Sequence, residues 1–161
     1  MSKRDLIVAH AFGEDLPEFK SVQEAEAELF ARRDRLLDNL RRAVANAQLP
    51  LDDSPQSLKD LEAWYFKLLD RGDDFNSLEM NRHELECAIS MYLGTVVVAN
   101  VPCFKWVVEE FAFLAGRYEI GIGAPLFTVM LTGGSNLQSE PNNKRRQSLF
   151  RQFNECAQYR S

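Results

Sequence analysis

The sequence predicts an α+β domain: three long leading α-helices, a small antiparallel β-sheet at about 104–111 and 117–123, and a C-terminal helix. Two observations carry this. Between residues 21 and 99, three apolar stripes recur at helical spacing, each behind a capping signal. From residue 104 the pattern changes to short β-branched and aromatic runs separated by a turn. Helices and strands do not alternate, so the order is not the βαβ of a nucleotide-binding domain.

The length of 161 residues suits one domain, 1–161, with 1–20 as an N-terminal arm. Residues 5–12, DLIVAHAF, are expected as a short strand or an arm lying on the core. The first long helix spans 21–48. Ser21 with Glu24 forms a capping-box pattern, and no Gly or Pro interrupts before Pro50. Ser54 and Pro55 then open a second helix, because proline at the first helical position gives up an N–H that has no partner anyway. Gly72 is placed to end it. A third helix covers about 81–99 behind Asn81 and Glu84, with its β-branched end TVVVAN open to a switch into strand.

FKWVVEEF and RYEIGIG read as paired antiparallel strands, with Ala115-Gly116 in the turn. APLFTVML at 124–131 fits either a short helix or a third strand. TGGSNLQSEPNN is a polar loop, and residues 143–159 form the last helix, with Leu149, Phe150, Phe153 and Cys156 turned inward. Eleven phenylalanines and two tryptophans supply enough bulk for a core.

Composition narrows the function classes. Three widely spaced cysteines form no C-x-x-C pair, which points to reduced thiols in a cytoplasmic protein. The short run LIVAHAF, directly preceded by Asp5, is too weak for a signal peptide. No apolar stretch is long enough to span a membrane, so no membrane partner is expected. Residues 51–110 hold 5 basic and 12 acidic side chains, whereas 111–161 hold 6 and 3. An acidic middle argues against nucleic acid and for a basic protein partner.

One fragment spells a metal site. In RHELECAI, His83 and Cys87 stand at i and i+4 with Glu84 between, close to the zinc-protease pattern H-E-x-x-H. A catalytic zinc needs a third ligand, and the one other histidine is His10. Helical phase favours packing instead. Leu85, Ala88, Ile89, Tyr92, Leu93 and Val96 form the main stripe, and Cys87, Met91, Gly94 and Val98 form a second on the far side. Cysteine is a small hydrophobe in such a place.

The other chemical candidates are weaker. Cys103 lies near Lys105 without an evident base. GIGAP and TGGSN match no phosphate-loop pattern. Glu109 and Glu110 point to opposite faces of a strand, and the pairs Asp52-Asp53 and Asp73-Asp74 lie in loops. Lys144-Arg145-Arg146 would open the last helix. No cofactor motif is present.

The succession L-x-x-L-E-x-W-Y at 58–65, MYLGTVVVAN and FKW, then Pro125, Val129 and SLFRQF, resembles small bacterial domains of unknown function. Some of these occur as toxin-immunity proteins. The resemblance covers about 55–155; it implies an α+β fold and carries no catalytic residue. The expected function is a non-enzymatic cytoplasmic protein-binding domain, in concrete form an immunity-type inhibitor of a basic toxin. Asp70, Asp73, Asp74 and Phe75 are the expected interface. Two rivals stand beside it: a small enzyme, zinc-dependent or otherwise, using His83, Glu84 and Cys87, and a structural homo-oligomer paired through the 21–48 helix.

Overall fold

A computed structural model describes residues 2–72, 75–138, 142 and 146–159. Five α-helices are described: α1 (Lys3–Glu14), α2 (Val22–Ala45), α3 (Pro55–Arg71), α4 (Arg82–Asn100) and α5 (Ser148–Gln158). Strands β1 (Lys105–Glu110), β2 (Tyr118–Ala124) and β3 (Phe127–Met130) form an antiparallel sheet with β2 in the centre. The α+β expectation holds, with a third strand resolving the ambiguous 124–131.

Local chemistry explains most helix ends. The Ser21 hydroxyl accepts the Glu24 N–H, while the Glu24 carboxylate reaches one residue further back to the Lys20 N–H. Gly72 closes α3 at φ 61°, a conformation only glycine adopts without strain. Asn81 and Glu84 form a complete reciprocal box at the start of α4, which continues as helix through TVVVAN.

Residues 5–12 are not a strand; they lie inside α1. The local cause is a capping box between Ser2 and Asp5. The last helix is shorter than 143–159 and starts at Ser148. Gln147, at φ 51°, sits in the left-handed region and cannot continue a right-handed helix.

α4 is the central element. Eleven of its nineteen residues are buried, which requires neighbours on more than one side. On one side Tyr92 reaches α3: its hydroxyl lies 2.7 Å from Ser57 Oγ and accepts the Asp53 N–H at 3.0 Å. On the other, Gly94 lies against Trp106 of β1 and Leu131. A Cβ on Gly94 would come within 2.6 Å of both side chains. The absent side chain is what lets the indole close onto the helix. α2 packs along α4 and the sheet, while α5 packs on α3 and α4.

The face of the sheet carrying Trp106, Val108, Ile120 and Ile122 meets the helices. The opposite face pairs Glu109 with Glu119, and Glu110 instead accepts the Tyr118 hydroxyl at 3.1 Å. The two adjacent glutamates diverge, as alternation requires.

Candidate binding groove beside the central helix

The start of α4 places His83 and Cys87 one turn apart. Cys87 Sγ lies 3.6 Å from His83 Nε2 and 3.6 Å from the Thr132 carbonyl oxygen, to which its S–H donates. His83 is exposed while Cys87 is fully buried. Burial raises the thiol's pKa against the pull of the Arg32 charge, so the sulfur stays protonated. A protonated, buried thiol is not a ready nucleophile. Glu84 is occupied by the helix cap, its Oε2 accepting the Asn81 N–H at 3.2 Å.

His10 is on α1, 3.3 Å from Glu14. Among the described residues no three His, Cys, Asp or Glu side chains converge as a metal site. The second stripe inferred from helical phase is real: Cys87, Met91 and Gly94 are buried. Gly134, at φ 70°, lets the TGGSN loop approach the α4 backbone at Glu86 and Cys87. That loop is therefore a packing element, and the glycines of GIGAP lie largely in β2.

The open chemistry lies beside this fragment. α2 presents a polar stripe at Arg32, Arg35, Asn39 and Arg42, spaced so that all four share one helical face. It borders a groove whose larger hollow is about 460 Å³, lined from α2 by Arg32, Arg35, Arg42, Leu36 and Asp38 and from the other side by Glu79 and Glu84. A second hollow shares Asn39, Arg42 and Glu79 and extends the groove past Asn46 and Ser77. Arg42 donates to the Asn39 side-chain oxygen.

Glu79 sits on the far wall at φ 55°, an uncommon conformation for a residue with a side chain. Among the described residues, no ion pair joins these arginines to Glu79 or Glu84. Groups of opposite charge face each other without pairing.

Residues 18–157 match the family model described as "Uncharacterised protein YwmA". The chain belongs to the YwmA family. The "Uncharacterized protein YwmA" of Bacillus subtilis (strain 168) is 30% identical over 112 residues, covering 68% of this chain and 69% of that protein. No solved structure matches. The likeness to small uncharacterised bacterial domains therefore holds. The YwmA match takes in α2, both walls of the groove and the sheet, and begins after α1.

Of the expected interface, Asp70 is exposed near the end of α3, and Phe75 is half-buried against the core. Asp73 and Asp74 fall outside the described residues. Of the basic cluster, Arg146 precedes α5, while Lys144 and Arg145 also fall outside. Cys103 is half-buried and Lys105 exposed.

Sequence reasoning missed the groove arginines. Their signal was the i, i+3, i+7, i+10 spacing of 32, 35, 39 and 42, along one flank of the apolar stripe that α2 buries. It also missed Glu62. This carboxylate is 2% exposed and accepts the Ser148 N–H at 3.1 Å, capping α5 from α3. Burial pushes it up to about 7, against the lowering effect of the Leu149 and Ser148 amides.

Proposed function

We propose that this chain is a non-enzymatic protein-binding domain whose docking site is the groove between α2 and residues 77–84. The observation that carries the reading is a wall of three arginines beside Asp38 set against Glu79 and Glu84, with no ion pair across the groove among the described residues. Arginine guanidinium groups bind carboxylates through paired N–H donors, and Glu79, with the carboxylate oxygen of Glu84 that the helix cap does not use, offers acceptors for lysine or arginine. The groove thus suits a partner segment carrying both signs of charge. The net acidic character of 51–110 adds long-range attraction for a basic protein.

In its concrete form this is an immunity-type inhibitor of a basic toxin, working in the cytoplasm. Asp70 and Phe75 precede residues 77–84 in the chain and form a second part of the proposed interface. The test is to capture a partner from the bacterial host, identify and purify it, and titrate it against wild type and an R35E/R42E variant. Reversal of both charges weakens affinity by about tenfold or more, the scale of 1.4 kcal/mol. An affinity unchanged by this variant, or no partner at all, overturns the reading.

A further inference from the structure

Helix α1 exposes apolar side chains that the rest of the chain leaves uncovered. Leu6 is 47% exposed, and Ile7 and Val8 are each 63% exposed. The helix is anchored mainly at its C-terminal end, where Gly13 lies against Phe111 and Leu114, and the Phe12 ring meets that of Phe111 edge-on. By contrast the apolar stripe of α2, which one rival reading of the sequence pairs between chains, is buried within the chain at Ala25, Leu29, Leu36, Leu37, Leu40 and Val44.

The outward face of α1 carries Lys3, Arg4, Ile7, Ala11 and Glu14, with Asp15 at the C-cap, and all six residues are exposed. Their order has a symmetry. When two copies of α1 lie antiparallel about a two-fold axis that passes midway between Ile7 and Ala11, Lys3 meets Asp15, Arg4 meets Glu14, and Ile7 meets Ala11. One register satisfies all three pairings, each made twice. Opposite charges meet at both ends, and a large apolar side chain meets a small one in the middle. That is the self-complementarity a two-fold interface demands.

We propose that α1 is a homodimerisation helix and that its partner is α1 of a second copy of this chain. An anionic membrane surface fits less well, because Asp5, Glu14 and Asp15 share the helix with the two basic residues. The surface is separate from the groove, and the proposal does not depend on the function assigned to it.

Sedimentation velocity on the full chain tests it, over a concentration series up to about 100 µM. Wild type sediments as a dimer at the upper end. I7E places two carboxylates in the seam and sediments as a monomer. R4E sets like charges opposite each other and weakens the dimer about tenfold, and R4E/E14R restores it. Ile7 and Arg4 are exposed, and unchanged thermal unfolding of each variant shows that its fold is intact. A wild-type monomer throughout the series overturns the proposal. So does a dimer indifferent to I7E, or a charge swap that fails to rescue R4E.

Discussion

Glu62 shows how far a residue's role can lie from its sequence neighbourhood. It stands in L-x-x-L-E-x-W-Y as an ordinary helical glutamate, yet its partner is the amide of Ser148, 86 positions on. No local pattern announces a cap supplied by another helix. The consequence is a pH dependence whose sign is fixed. Burial raises the folded-state carboxyl from 4.5 to about 7, so the native protein holds this proton over a range where the unfolded chain has released it. Glu62's contribution is full below about 4.5 and is lost as pH rises through about 7. Between pH 4 and 8 wild type should lose on the order of 3 kcal/mol relative to E62Q, measured by urea unfolding. Equal pH profiles for the two proteins would remove this role. Cys87 is the opposite case. Its burial was legible, because helical phase alone placed it on a stripe with Met91 and Gly94.

At the scale of elements, capping and periodicity identified α2, α3 and α4 because each signal is local. β1 and β2 were legible for the same reason. α1 was misread although Ser2-x-x-Asp5 is a capping pattern: the β-branched residues Ile7 and Val8 outweighed it in a segment too short for strong periodicity. β3 was ambiguous because its four residues gain their definition from pairing with β2. The start of α5 was misplaced because a left-handed Gln147 carries no glycine to mark it.

Gly94 tests how these elements fit together. In an isolated helix, glycine to alanine stabilises by about 1 kcal/mol. Here the new methyl would meet Trp106 and Leu131, so G94A should instead destabilise by about 1–3 kcal/mol. Chemical denaturation measures the difference, and a stabilised G94A would contradict the close contact of helix and strand.

At the scale of the whole molecule, charge was legible in amount but not in arrangement. The excess of acid in 51–110 suggested an acidic face, yet Glu79 and Glu84 face arginines contributed by α2. A groove between elements distant in sequence forms only when the chain folds, so segment totals could not reveal it. Among the described residues no helix is long and apolar enough to cross a membrane. The YwmA match runs through both groove walls, whereas α1 lies outside it. The groove and the α1 seam are thus separate surfaces with separate tests.

The central claim is that the groove is where a partner docks. An NMR titration of isotope-labelled chain with the captured partner tests it most directly, because arginine side-chain N–H signals report on the groove wall itself. The largest shifts should fall on Arg32, Arg35 and Arg42 and on the backbone of 77–84. Shifts confined to the outer face of the sheet or to α1, with those signals unmoved, would contradict it.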